Sequence, residues 1–221
     1  IIIKPSDGSN TTWNGGIPYE NEFSYFLSES DTTWHTDEVS SKRLAEQLAT
    51  LPSNNFCPNY NSEINLHIAP WLASISHILQ QGVILLIDYG SPRHEYYHPQ
   101  RTQGTLMCHY RHHVHDDPFY YPGLQDITAH VDFTAIAQSA VEHNLTISGY
   151  TNQANFLINC GILALSQQQT LNSKQQIQQN QALTKLLQPH EMGELCKVIA
   201  LTKDFADPLL GFSARNQLER L

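Results

Sequence analysis

The sequence is poor in basic residues. It has 12 Lys and Arg against 21 Asp and Glu, which gives a formal net charge of −9 at pH 7. This balance argues against a protein that binds nucleic acid by neutralising phosphates, so no nucleic-acid partner is predicted. Long apolar runs are missing as well. Because a membrane-spanning helix needs about 20 such residues, we predict no membrane span.

Cysteine pairs and several widespread motifs are also missing. The sequence has 4 cysteines, which lie far apart: Cys57, Cys108, Cys160 and Cys196. They form no CxxC pair, which argues against a zinc finger and a disulfide framework. The phosphate-binding loops GxGxxG and GxxxxGKS do not occur, nor does the GxSxG turn of serine hydrolases. The N-terminus has neither an initiator Met nor the charged start of a signal peptide, so we expect the downstream part of a longer protein.

The clearest structural signal is a helical pattern followed at once by an apolar strand. Apolar residues between Ile64 and Leu79 recur at spacings of three and four, which predicts an amphipathic helix. Pro70 either kinks this helix or belongs to its first turn. Gly82 then precedes the wholly apolar run Val83–Ile87. This succession is typical of a parallel α/β sheet.

Shorter patterns predict the remaining elements. They are a peripheral strand over Glu22–Leu27, a short helix capped by Ser40 or Ser41, a helix capped by Asp132, a strand over Leu145–Tyr150, a helix over Asn152–Leu165 that Gly161 divides, and a last strand over Cys196–Leu201. After residue 62 the predicted order is therefore α-β-α-β-α-β.

Three polar segments are candidates for chemistry. Asp88-Tyr89-Gly90 ends the apolar strand, where a carboxylate and a phenol can hold a ligand; the alternative is that Asp88 caps the next segment and Tyr89 packs. The histidines between His109 and His115 lack the spacing of zinc motifs, so a solvated polar loop is favoured over a metal site. In an extended segment His113 and His115 share a face and His112 points away.

The third segment is Asp126-Ile127-Thr128-Ala129-His130-Val131-Asp132-Phe133. If it is extended, its polar residues fall on one side: Asp126, Thr128, His130 and Asp132. Two carboxylates suit recognition of a cation or guanidinium, and His130 can serve as a general base. The alternative is a helix entry with Asp132 as the cap and Thr128 in solvent.

At these segments the sequence resembles the MidA family of S-adenosylmethionine-dependent methyltransferases. That family includes the mitochondrial arginine methyltransferase that helps assemble respiratory complex I. The matching motifs are Ile87–Gly90, Arg101–Leu106, Gly123–Phe133, Gln153 with Phe156-Leu157, and Glu191–Glu194 followed by Lys197-Val198. They occur in order over residues 62–203, whereas residues 1–61 match loosely.

The resemblance implies an α/β fold with a class I methyltransferase-like (Rossmann-like) doubly wound sheet and insertions. Residues 62–221 are then the C-terminal part of this domain, and 1–61 form a loosely matched segment with peripheral strands. The implied cofactor is S-adenosylmethionine, and the implied substrate is a protein, with arginine as the methyl acceptor. The implied location is the bacterial cytoplasm or, in a eukaryote, the mitochondrial matrix.

The resemblance also implies roles for individual residues. Asp88, Tyr89 and His130 are expected to be catalytic. The expected substrate-binding residues are Asp126, Thr128, Asp132 and Phe133. No metal site is predicted.

One departure from the family pattern concerns the methyl donor. The family's glycine-rich cofactor loop, its ribose-binding acidic residue and its Asn-Glu acceptor motif lie upstream of the matched region and do not occur here. We therefore expect the chain alone to bind S-adenosylmethionine poorly and to be inactive unless the remainder is supplied. Two alternatives stay open: a non-catalytic assembly or binding module that uses the same acidic pocket, and a metal-dependent hydrolase built on the histidines.

Overall fold

A computed structural model describes residues 2–4, 21–25, 34–37, 41–51, 56–57, 60–121, 123–168 and 171–221. The chain divides into two compact units. The first unit comprises Ile1–His67 and Arg93–His130, and the second comprises Ile68–Pro92 and Val131–Leu221. The sequence-based division into 1–61 and 62–221 stays a prediction.

The chain contains eleven described strands and seven described α-helices, and several of them follow one another without alternation. The strands are β1 (Ile2–Lys4), β2 (Asn21–Tyr25), β3 (Trp34–Asp37), β4 (Ser62–Glu63), β5 (Gly82–Ser91), β6 (Met107–Tyr110), β7 (His113–His115), β8 (Asp126–Thr128), β9 (Val131–Asp132), β10 (Thr146–Asn152) and β11 (Cys196–Lys203). The helices are α1 (Lys42–Ala49), α2 (Ile68–Ile78), α3 (Arg93–Tyr96), α4 (Phe133–Glu142), α5 (Gln153–Asn159), α6 (Ile162–Gln167) and α7 (Ser173–Leu187). A π-helical turn spans Pro189–Gly193, and 3-10 turns span Leu210–Phe212 and Leu218–Arg220. Across the described ranges, no helix is both long and apolar enough to cross a bilayer.

The first unit contains two antiparallel sheets. Their strand orders are β3-β2-β1-β4 and β7-β6-β8. Strand β2 confirms the predicted peripheral strand over its described part. Ser41 is the N-cap of α1, as predicted, because its hydroxyl accepts a hydrogen bond from the Leu44 N–H at 3.2 Å. This cap orients α1 so that Leu44 and Leu48 are buried with Ile64.

The second unit is built on the sheet β10-β11-β5-β9. Only β5 and β9 are parallel, through Gly90 and Ser91, whereas β11 is antiparallel to both of its neighbours. The prediction of a parallel sheet is therefore wrong for β11. The reason lies in the connection between β10 and β11. After β10 the chain re-enters the sheet at the end where β10 and β5 finish, so β11 starts there and runs in the opposite direction.

Strand β11 separates two apolar clusters. Since side chains alternate along a strand, Ile199 and Leu201 face one side while Val198 and Ala200 face the other. The first pair belongs to a cluster that α2 and α4 cover. The second pair is covered by side chains that include Phe212. β11 is thus buried on both faces.

Several local predictions in this unit are confirmed. Helix α2 starts at Ile68, which places Pro70 in its first turn. Asp132 caps α4, with its Oδ1 accepting from the Ala135 N–H at 3.1 Å. Gly161 separates α5 from α6 and has φ of 83°. The left-handed conformation there is readily adopted only by glycine, which explains the break in the helix.

Candidate acceptor edge

A row of polar side chains crosses the second unit where β5 and β10 end. The register places Asn152 of β10 opposite Lys197 of β11, and Lys197 opposite Asp88 of β5. Side chains directly opposite one another in antiparallel strands project from the same face. The neighbouring row on this face is apolar: Tyr150, Ile199 and Leu86. The polar row therefore marks the boundary between the core and the exposed edge of the sheet.

The polar row is held by an ion pair between the buried Lys197 and the half-buried Glu194. Lys197 is 4 % exposed, and its Nζ donates to Glu194 Oε1 at 2.6 Å and to the Glu194 carbonyl at 2.5 Å. The other carboxylate oxygen of Glu194 accepts from the amide of Asn152. A buried ammonium needs such compensation, because its desolvation costs several kcal/mol. The three side chains of Asn152, Glu194 and Lys197 therefore fix one another in place.

The turn before β11 brings Glu194 to this position. The Gly193 N–H donates to the Gln188 carbonyl at 3.0 Å and closes the π-helical turn. A Cβ on Gly193 would overlap the Leu187 carbonyl. Glycine thus permits the close backbone approach from which Glu194 reaches Lys197.

Asp88 and Tyr89 lie beside this ion pair at the end of β5. Asp88 is exposed, and its Oδ1 accepts from the Tyr89 N–H at 2.8 Å. Partial burial raises the pKa of the Tyr89 phenol, and the adjacent Cys196 adds to that shift. Burial likewise raises the pKa of the Cys196 thiol, which disfavours the nucleophilic thiolate. The exposed Asp88 carboxylate is therefore available to a cation at this edge.

Asp132 and Phe133 are also in the second unit, and both are buried. Asp132 is engaged as the cap of α4. The Phe133 ring is fully buried in the core and approaches Gly90, where a Cβ would come within 2.8 Å of its Cε2. These positions give Phe133 no surface to offer a ligand in this structure.

The other predicted residues lie in the first unit. Asp126 and Thr128 are exposed on one face of β8, as their alternation predicts. The extended segment is interrupted before β9, however, so His130 is outside both strands. The His130 N–H donates to Thr105 Oγ1 at 2.9 Å. The structure thus places Asp88, Tyr89, Asp132 and Phe133 in one unit, and Asp126, Thr128 and His130 in the other.

A buried carboxylate organises the loop that leads to Thr105. Glu63 is 8 % exposed, and its Oε1 accepts from the N–H groups of Thr105 and Leu106, each at 2.8 Å. Its Oε2 accepts from the hydroxyls of Thr105 at 3.2 Å and Tyr96 at 3.3 Å. Gly104 packs directly against this carboxylate. The geometry of the loop over Arg101–Leu106 therefore depends on Glu63.

The histidine segment forms a hairpin. His113 and His115 lie on β7 on one face, as predicted, and His112 lies in the turn with φ of 67°. No group of three or more His, Cys, Asp or Glu side chains that could hold a metal ion occurs among the residues the structure describes.

Sequence reasoning missed Glu63 and Lys197 as organising residues. Lys197 carried a usable signal, because it is the one charge within the otherwise apolar run Cys196–Leu201, and buried lysines require partners. No sequence signal points to Glu63, because its hydrogen-bond partners are about forty positions away in the chain.

Comparisons with known proteins agree with this architecture. A family model described as "Putative S-adenosyl-L-methionine-dependent methyltransferase" matches residues 14–151. Two crystal structures from Burkholderia thailandensis are similar to this chain: a native structure of an uncharacterized protein and a protein of the same superfamily bound to S-adenosyl-homocysteine. No curated protein matches the chain.

Both structures share the fold of the entire chain. Each is 35% identical to it, with a TM-score of 0.86 over 100% of this chain. The match covers 56% of the first protein and 54% of the second, so the chain spans about half of the length of these relatives.

The expected fold and cofactor class are confirmed by these findings, whereas the narrower MidA assignment stays a prediction. The sheet is that of an α/β, class I methyltransferase-like protein. The cofactor of the matched family is S-adenosylmethionine. Since the family model spans residues 14–151 of 221, the chain belongs to the family of S-adenosylmethionine-dependent methyltransferases.

Proposed function

We propose that this chain forms the acceptor side of a MidA-type protein methyltransferase that methylates an arginine of a partner protein, as in respiratory complex I assembly. The observation that carries this proposal is the polar row of Asn152, Lys197 and Asp88 at the edge where β5 and β10 end. Ligands of open α/β sheets bind beyond the carboxyl ends of the strands. The relative that contains S-adenosyl-homocysteine, the product of methyl donation, supports the reaction class.

The charges at this edge suit a guanidinium. Asp88 presents an exposed carboxylate, which can accept two parallel N–H bonds from an arginine. Lys197 does not compete for it, because its ammonium is committed to Glu194. The net charge of −9 also attracts a basic segment of a partner. Asp88 is therefore proposed to bind and orient the acceptor, with Tyr89 as the adjoining wall.

The remaining predicted polar residues belong to the first unit, and we propose roles for them there. Asp126 and Thr128 offer a carboxylate and a hydroxyl on the exposed face of β8. His130 is proposed as the base, because an alkylated guanidinium nitrogen has to lose a proton. The bond from its backbone to Thr105 limits where its ring can go. Asp132 and Phe133 are proposed to support the site from within, through the cap and the core.

Gly90, at the end of β5, does not provide a cradle for the cofactor. S-adenosylmethionine supplies, when bound, an electrophilic methyl group on a sulfonium sulfur. In this fold the cofactor needs a glycine-rich turn that leaves room for its backbone contacts. The glycine at the end of β5 leaves no such room, because the Val131 carbonyl and the Phe133 ring fill the space beside Gly90. We therefore assign no cofactor contact to the residues that the structure describes.

The proposal is tested by peptide binding and by methyl transfer. We expect the chain to bind an arginine-containing peptide more tightly than the same peptide with lysine, because only the guanidinium can pair in two parallel bonds with a carboxylate. Asp88→Asn should weaken arginine-peptide binding about tenfold, which corresponds to loss of a charge-assisted bond. Glu142→Gln, an exposed acidic position on α4, is the matched control and should leave binding unchanged.

Four results bear on the proposal in different ways. Equal binding of the two peptides would contradict arginine as the acceptor. Unchanged binding in Asp88→Asn would remove Asp88 from the site, and unchanged binding in Asp126→Asn would remove Asp126. Arginine-selective binding without labelled methyl transfer from S-adenosylmethionine, in the presence of a competent cofactor-binding partner, would favour the non-catalytic binding module.

A further inference from the structure

A hydrogen-bond network in the first unit connects Glu63, Thr105 and His130. The Thr105 hydroxyl donates to Glu63 Oε2 at 3.2 Å. The oxygen of the same hydroxyl accepts from the His130 N–H at 2.9 Å. Glu63 and Thr105 are each 8 % exposed, whereas His130 is half-buried. The network therefore leads from a buried carboxylate to a residue that solvent reaches.

The direction of these hydrogen bonds follows from the chemistry of the two ends. A backbone N–H can only donate, and an ionised carboxylate can only accept. A hydroxyl has a single proton, so the Thr105 hydroxyl that donates to Glu63 presents a lone pair to the His130 N–H. Glu63 thus sets the orientation of the acceptor that His130 uses.

Glu63 also holds the main chain of Thr105. Its Oε1 accepts from the N–H groups of Thr105 and Leu106, each at 2.8 Å. One carboxylate therefore binds Thr105 through both its backbone and its side chain. Hydrogen bonds to an ionised group are roughly twice as strong as neutral ones, so rotation of the hydroxyl away from Glu63 is disfavoured.

The position of His130 explains why this acceptor is needed. The antiparallel register of β6 with β8 ends at the pair Met107 and Thr128. Two residues beyond that pair, the same register places Thr105 opposite His130. There the Thr105 hydroxyl accepts the His130 N–H. A side chain thus continues the pairing past the end of the strand.

We propose that Glu63 is the positioning residue for His130 and that it acts through the Thr105 hydroxyl. It fixes the main chain from which the His130 imidazole projects, and so restricts where that ring can take a proton from the acceptor nitrogen. The network itself carries no proton, because a main-chain N–H forms its outer end. This inference rests on the proposed function, in which His130 is the base.

Two substitutions break the network and two serve as controls. Thr105→Val removes the acceptor of the His130 N–H. Glu63→Gln keeps one oxygen for the N–H groups but directs an amide N–H at the Thr105 oxygen, where it competes with His130. Thr105→Ser keeps the hydroxyl and is the rescue. Tyr97→Phe is the matched control, because the Tyr97 hydroxyl donates to the Glu63 carbonyl at 3.0 Å, outside the network.

Hydrogen exchange measured by NMR on the chain tests the network. We expect the His130 N–H to exchange about tenfold faster in Thr105→Val and in Glu63→Gln, which corresponds to the loss of one hydrogen bond. In Thr105→Ser and Tyr97→Phe its rate should change by less than about twofold. The Leu106 N–H is the internal reference and should keep its rate in Thr105→Val, because Glu63 Oε1 still accepts it.

Two results would overturn the network. One is an unchanged exchange rate of the His130 N–H in Thr105→Val and Glu63→Gln. The other is equal acceleration in Tyr97→Phe and Thr105→Val, which would show that any lost hydrogen bond near Glu63 has the same effect.

The ring resonances of His130 test the positioning role and the function separately. In the wild-type chain an arginine-containing peptide should shift them, and the same peptide with lysine should not. The shift should be lost in Thr105→Val and Glu63→Gln and restored in Thr105→Ser. A shift that persists in Thr105→Val and Glu63→Gln would overturn the positioning role. Absence of a shift in the wild-type chain, with the exchange results as expected, would leave the network intact and contradict the proposed function.

Discussion

Gly104 provides a sharp test of the Glu63 carboxylate that organises the loop over Arg101–Leu106. The residue has φ of 68°, a left-handed conformation that costs an alanine about 1–2 kcal/mol. A Cβ there would also overlap Glu63 Oε1 and come within 2.8 Å of Glu63 Cδ. Gly104→Ala therefore combines backbone strain with displacement of a buried carboxylate.

The cost of displacing Glu63 follows from its hydrogen bonds. Two backbone N–H groups donate to Oε1 at 2.8 Å. Hydrogen bonds to a charged group contribute about 1.5–3 kcal/mol each, and weakening one or both adds about 2–4 kcal/mol to the strain. Gly104→Ala should thus lower the free energy of unfolding by about 3–6 kcal/mol in total.

Gly123→Ala is the matched control. Gly123 has a similar φ of 81°, but nothing lies within 4 Å of its would-be Cβ. Its alanine variant should therefore lose only the backbone contribution, about 1–2 kcal/mol. Urea denaturation followed by circular dichroism measures both variants. In a Glu63→Ala background the cost of Gly104→Ala should fall to that of Gly123→Ala, because the overlap is gone. Equal costs of the two glycine substitutions in the wild-type background would refute the reasoning.

Three further predictions concern stability. Burial raises the pKa of the Tyr60 phenol to about 12, although the charge of Arg101 acts in the opposite direction. The folded chain therefore keeps this proton at pH values where an unfolded tyrosine, with a pKa of 10.0, has lost it. Stability should be unaffected below pH 10 and fall between pH 10 and 12 by up to roughly 1.4 kcal/mol per pH unit, a slope that Tyr60→Phe should remove in urea titrations. Asp132→Ala should lower the free energy of unfolding by about 1 kcal/mol, because it removes the cap of α4. Asp132→Asn keeps a hydrogen-bond acceptor at this position and should lower it by less in the same assay. Glu194→Leu should lower the free energy of unfolding by about 3 kcal/mol, because it leaves the buried Lys197 ammonium without its carboxylate partner. Lys197→Met should lower it by about 1 kcal/mol or less. If thermal unfolding shows Lys197→Met to be the more damaging substitution, the ion pair is contradicted.

Local features of the fold are predictable from the sequence because their causes are local. Ser41 and Asp132 cap helices through N–H groups three residues away, and Gly161 separates two helices through its own φ. Alternation in Asp126–Thr128 likewise depends only on the extended backbone. In each case the determining contact lies within one helical turn or one strand.

Features that depend on distant partners were not predictable in this way. The direction of β11 depends on the edge at which the chain re-enters the sheet, and no residue of Cys196–Leu201 encodes that edge. Glu63 meets Thr105 across forty-odd positions. Phe133 belongs to the predicted polar segment, yet its burial is set by Gly90 on another strand. The candidate site is therefore visible in sequence as motifs, while the residues that hold it are visible only in the structure.

The central claim is that this chain supplies the acceptor side of a methyltransferase and that another segment supplies the donor side. Calorimetric titration with S-adenosyl-homocysteine tests it most directly, using the chain alone and the chain in complex with the unmatched part of the Burkholderia relative. The account predicts no binding heat for the chain alone and 1:1 binding by the complex. Saturable 1:1 binding of S-adenosyl-homocysteine by the chain alone would contradict it.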